Sequence, residues 1–190
     1  MLPLLAACLL TGAAPNAELS PGLGLTVDLV NPDTAGGHRL LSLEDVIGEG
    51  RRTDIPRLPS AEALLVFSVT PSGCGATGLC AEVAKRTAEA RERGAMVLGV
   101  ILATKEEAAA ATTKVRAARH PFPLTFDVHG LVRKAFAFEG PTILSVIDAK
   151  GVNILKARPS KAGDPAQVAR ALEQARDALL VALGRDEEDE

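Results

Sequence analysis

Two cysteines, Cys74 and Cys80, sit in the stretch TPSGCGATGLCAEV (70–83), separated by five residues and threaded through Gly73, Gly75 and Gly78. Thiols placed like this can do three things: cycle between dithiol and disulfide, ligate a metal, or form a fixed cross-link. The thiolate is the nucleophile and the ligand, so whatever sets the thiol pKa sets reactivity. Cys80 is expected in the first turn of a helix running to Arg93. Unpaired N–H groups and the positive end of the helix dipole stabilise a negative sulfur there. Glu82, in the same turn, works modestly against this. The glycines around Cys74 make a continuous helix unfavourable and the loop pliable. Five intervening residues allow the sulfurs to reach bonding distance, which needs Cα atoms roughly 5.5 Å apart.

Other reactive side chains form no comparable group. His38, His120 and His129 fall in three separate segments and are read as surface or turn histidines rather than ligands. No spacing among them recommends a zinc or copper site. The segment GCGATG lacks the Gly-Lys-Ser/Thr ending of a phosphate loop. Glu89 and Glu92 are expected on a solvated helix face.

The elements that must carry the cysteines follow from hydrophobic periodicity. ALLVFSV (63–69) is a continuous apolar run with β-branched content, expected as a strand buried on both faces and leading straight into the cysteine loop. From Cys80 the period becomes helical, with Val83, Ala84, Thr87 and Ala88 on one face and charges on the other, until Gly94. MVLGVIL (96–102) predicts a second buried strand, and Thr104 to Glu107 a capping box opening a helix to about Arg119. HPFPLTFDV predicts a proline-broken lead into a short strand, and GLVRKAFAF a short helix. A hairpin over EGPTILSVIDAKGVNILKA and a helix capped by Asp164 follow. Upstream, LTVDLV alternates like a strand, NPDTAGGHR is a turn, and LLSLEDVIGEG is a short apolar segment. Buried strands separated by helices imply a sheet covered on both faces, an α/β sandwich.

Composition narrows the partners. The chain has 190 residues, 47% of them hydrophobic, with five Phe and no Trp or Tyr. That is enough for a substantial aliphatic core and too few aromatics for a stacking surface on single-stranded nucleic acid. The formal charge of −3 becomes +2 without the acidic run Asp186 to Glu190, and no basic stretch suggests a nucleic-acid partner. The first ten residues, MLPLLAACLL, are apolar and are followed by small residues, as in an export signal. They fall well short of the roughly 20 residues of a membrane span. Leu5-Ala6-Ala7-Cys8 is similar to a bacterial lipobox, which would make Cys8 a lipid-anchored N-terminus, although no Lys or Arg precedes it. The expected organisation is an apolar leader and tether over 1–24, a folded domain over 25–184, and an acidic disordered tail over 185–190.

Four segments, in order, resemble the redoxin branch of the thioredoxin-like superfamily. That branch contains peroxiredoxins, membrane-tethered disulfide reductases and Sco-type copper proteins. LTVDLVNPDTAGGHRLLSLEDVIGEG is similar to its N-terminal hairpin extension, and ALLVFSV with the cysteines to its active-site strand and loop. FPLTFDVHGLVRKAF resembles the segment before its substrate-binding loop, and EGPTILSVIDAKGVNI the cis-proline loop with its following hairpin. The resemblance implies a thioredoxin-like three-layer α/β/α sandwich with a mixed central sheet and an N-terminal hairpin extension. It implies a site made of Cys74, Cys80, Pro141, Thr142 and Thr77, with Pro141 at the cis-proline position. It also implies a thiol–disulfide oxidoreductase of the periplasm or cell envelope, acting on protein thiols and disulfides or on a peroxide, without cofactor or metal. Cys80 would attack and Cys74 resolve, or the reverse. A non-catalytic domain with a structural disulfide, or with a copper-handling role, stays open.

The signature departs from each branch. The spacing is C-x-x-x-x-x-C rather than C-x-x-C, and there is no Trp. Thr77-Gly78-Leu79-Cys80 matches the peroxiredoxin Thr-x-x-Cys, but the preceding proline falls at Gly73 and the later arginine at Pro141 or Thr142. The histidine of the Sco-type copper proteins falls at Glu139 or Gly140.

Overall fold

In the computed structural model of the chain, the described residues are 21–47, 51–55, 60–75, 78–158 and 164–184. The centre is β3 (Ala63–Val69), buried at every position, in keeping with an apolar run broken only at Ser68. It leads through a short 3-10 turn, Pro71–Cys74, into α2 (Leu79–Glu92). β4 (Ala95–Leu102) then returns parallel to β3, with Ala63 opposite Ala95 and Val69 opposite Ile101. α3 (Lys105–Ala117) starts at Thr104, where both bonds of the expected capping box are present. It leads to β5 (Leu124–Asp127), parallel to β4. The short α4 (Leu131–Ala135) precedes the hairpin of β6 (Leu144–Ile147) and β7 (Asn153–Ala157), and β6 pairs antiparallel with β3. The sheet order is therefore β5-β4-β3-β6-β7, a mixed sheet with its most apolar strand in the middle.

Alternation along β3 builds the three layers. Leu65, Phe67 and Val69 face one core with Val83 of α2 and with Val168, Leu172, Ala175 and Leu179 of α5 (Pro165–Ala182). Leu64 and Val66 face the other, with Phe136, Phe138 and residues of the N-terminal segment. Each such Val, Leu or Phe side chain, fully buried, stabilises the fold by about 1.5–3 kcal/mol. Gly99 on β4 is a close approach: a Cβ there would lie 2.5 Å from Leu124 and 2.9 Å from the Phe67 ring.

The N-terminal segment differs in detail from the expected pattern. The apolar stretch after Arg39 divides into β2 (Leu40–Ser42), paired antiparallel with β1 (Thr26–Asp28), and a single turn of helix, α1 (Leu43–Val46). Beyond β1, Leu29 bridges to Thr125, and the Asn31 side chain bonds both Phe122 O and Leu124 N. The segment after β1 therefore covers part of the outer edge of β5 and takes up the backbone groups of Leu124. Residues 21–24, expected in the tether, instead form a 3-10 turn, and Leu23 and Leu25 pack against the second core. The leader with Cys8 and the acidic tail lie outside the described residues. Among the described residues no helix is long and apolar enough to cross a membrane.

Candidate redox site

Cys74 ends the 3-10 turn after β3, and Cys80 is the second residue of α2. Their Cα atoms are 5.0 Å apart and the sulfurs are bonded to each other. Gly78 makes this short return possible. It caps α2 at φ +106°, ψ −166°, a region open essentially to glycine alone, and its carbonyl accepts from Ala81 N and Glu82 N. Thr77, named as a site residue from the sequence, lies outside the described residues.

The pair does not stand open to solvent. Cys74 is 1% exposed and Cys80 0%, and both belong to the core between the sheet and α2 and α5. Beside them, on the surface, is a groove of about 570 Å³ lined by Thr70, Gly73, Gly78, Leu79, Pro141 and Thr142 among others. Pro141 and Thr142 thus lie next to the cysteine loop. The Gly140–Pro141 bond is trans, however, as the described residues contain no cis peptide. The cis-proline expectation is corrected here, and the physical reason lies in Ser68. Its buried hydroxyl donates to Gly140 O (2.8 Å) and accepts from Ile143 N (3.1 Å). Thr142 N donates to Ser68 O (2.7 Å), and Ser68 N donates to Ile143 O (2.8 Å). These four bonds hold a turn in which Thr142, not the proline bond, takes the unusual geometry, at φ +65°.

The largest correction concerns His120. Expected at the surface or in a turn, it is 6% exposed, and its Nε2 lies 3.2 Å from Cys74 O. One of its ring nitrogens and the two sulfurs all lie within 4.8 Å of one another. The ring stacks on Phe122 at 5.5 Å, and Phe122 meets Phe67 edge-on at 5.3 Å. A signal for this was present in the sequence. The residue before a proline is held extended, so His120 and Phe122, each followed by proline, continue the alternation of β5 backwards. That period puts His120 on the face of Phe122 and Leu124, which is the core face. His38 and His129 stay apart from this cluster.

Reduced, this cluster would place two cysteine sulfurs beside one imidazole in a site closed to solvent. Bonded to each other, the sulfurs carry no charge. Near the site, Glu82 is held below the usual carboxylate range, chiefly because Lys85 donates to it at 2.7 Å. Its charge is thereby partly offset where it would oppose a thiolate at Cys80.

No protein-family model matches the sequence, and no curated protein matches it. Solved structures do match in shape, and they define the fold as thioredoxin-like, with the mixed sheet described above. One is a protein assigned as thiol:disulfide interchange protein DsbE from Chlorobium tepidum, with TM-score 0.60 and 18% identity over 90% of this chain and 100% of that one. Another is peroxiredoxin Q of Xanthomonas campestris, with TM-score 0.54 and 16% identity over 90% of this chain and 98% of that one. MTB DsbF, solved in mixed oxidized and reduced forms, matches with TM-score 0.54 and 14% identity over 87% and 99%.

Proposed function

We propose that the protein is a thiol–disulfide oxidoreductase whose reactive bond is Cys74–Cys80. The observation that carries the reading is the bond itself: two cysteines closed across the start of α2, beside a groove lined by Pro141 and Thr142. The resemblance in fold to a thiol:disulfide interchange protein and to DsbF supports it. In the reaction a partner thiolate attacks one sulfur and displaces the other, giving a mixed disulfide. A second partner thiol then releases the pair as a dithiol, and the partner leaves as a disulfide. The buried sulfurs require the backbone at Gly73, Gly75 and Gly78 to move first, and glycine makes that motion inexpensive in steric terms. An extended segment of the partner would lie in the groove. We place the protein in the cell envelope, on the strength of the apolar MLPLLAACLL and of a bond that persists in oxidising compartments.

A second reading is favoured by one observation, the near-complete burial of both sulfurs: the bond is then a fixed cross-link. Equilibration of the full chain with glutathione and dithiol buffers, followed by alkylation of free thiols, separates the two. An exchange couple is expected between about −300 and −100 mV, whereas a structural bond resists reduction until below about −300 mV.

A further inference from the structure

His120 is the buried titratable group that the exchange reading leaves without a task. We propose that His120 takes up a proton when the Cys74–Cys80 bond opens, so that the reduced site is a buried thiolate–imidazolium pair; this rests on the exchange reading above.

The argument starts from burial. A thiolate enclosed by apolar side chains is costly without a positive partner, and the pair belongs to the core. The ring is held in place from two sides, by stacking on Phe122 and by a hydrogen bond to Cys74 O. Since a carbonyl only accepts, Nε2 carries the proton of that bond. Among the described residues no carboxylate belongs to the cluster formed by Cys74, Cys80 and His120. Other charges on the surrounding elements are engaged elsewhere. Glu82 of α2 accepts from Lys85, and Arg86 reaches Glu173. Arg116 of α3 donates to Val30 O, and Lys114 and Arg119 are exposed. Asp127 of β5 accepts from Val132 N and Arg133 N. The new negative charge that can balance an imidazolium is therefore the one released when the bond breaks.

The step balances. The partner dithiol gives two electrons to the S–S bond and leaves as its own disulfide. Of its two protons, one ends on a cysteine sulfur and the other on the His120 ring. The second cysteine sulfur remains a thiolate.

The test compares the full chain with its His120→Gln variant, which can still donate to Cys74 O but cannot take up a proton. Both are reduced with a phosphine, and thiolate absorbance is followed against pH. The parent is expected to keep a thiolate well below the ordinary thiol range, the variant only above about pH 8. The rate of reoxidation by a small disulfide should fall about tenfold in the variant near pH 7 and match the parent near pH 9, since it follows the thiolate fraction. Identical thiolate titrations in the two proteins, or a rate loss equal at all pH, overturn the proposal. Should the variant fail to fold, nitrogen NMR of the His120 ring in the reduced parent decides: two protonated nitrogens support the pair, and a neutral ring near pH 7 overturns it. A parent bond that refuses every thiol buffer sinks the exchange reading instead, while the phosphine-reduced protein still reports on His120.

Discussion

Ser68 is the only hydroxyl in ALLVFSV, and it is wholly buried between the central strand and the Gly140–Ile143 turn. Its side chain joins a carbonyl and an amide that have no helix or ladder to serve them. Ser68→Ala removes both bonds and leaves two backbone groups under-satisfied, at a cost of about 1–3 kcal/mol. Urea unfolding of the oxidised protein should show a lower midpoint with unchanged slope. Thr70→Ala, which loses only an exposed contact with Ser72, should stay within about 0.5 kcal/mol of the parent. Ser68 attracts no notice in the sequence, and His120 is set aside there as a surface or turn histidine, for the same reason. Their partners lie across the fold, 72 and 46 residues away in the chain; the alternation in HPFPL places His120 on the core face, but no residue type names such a partner. The cysteines were legible because two of them share one loop. Their burial was not, because the cover comes from the core packed around that loop.

The elements themselves were far more legible. β3 announces itself through seven consecutive buried positions, and α3 through a capping box that forms as spelled. Where the pattern is local the structure follows it, and where two elements share one apolar run, as in β2 and α1, the boundary is lost. The junction most relevant to the site is the start of α2, and it hangs on Gly78. A Cβ there would sit 3.0 Å from Gly73 O, in a backbone region that side chains rarely enter. Gly78→Ala is expected to destabilise the oxidised protein by about 1–3 kcal/mol. It should also slow closure of the Cys74–Cys80 bond after reduction, because it opposes the return that brings the sulfurs together. Thermal unfolding by circular dichroism reads the first effect and quenched alkylation the second. An unchanged melting curve would mean that Gly78 is not the hinge of this loop.

The bond and the fold are linked through the whole molecule. Cys74–Cys80 closes a loop of six residues' separation, so the entropy it removes from the unfolded chain is small. A loop of that length corresponds to about 2 kcal/mol in the chain-entropy treatment. The rest of the stability rests on the two apolar cores flanking the sheet, and the one facing Leu64 and Val66 contains neither cysteine. The reduced protein, and the double variant Cys74→Ser with Cys80→Ser, should therefore remain folded, with a stability lower than the oxidised form by about 2 kcal/mol. By linkage, the fold makes the bond harder to reduce by the same amount, about 40 mV, relative to the same bond in the unfolded chain. Because the chain has no Trp or Tyr, unfolding is best followed by far-ultraviolet circular dichroism, in urea, for both redox states. An exchange protein must be folded in both states, so a reduced form without cooperative unfolding would favour the fixed cross-link. A reduced form that unfolds cooperatively about 2 kcal/mol below the oxidised one meets that requirement.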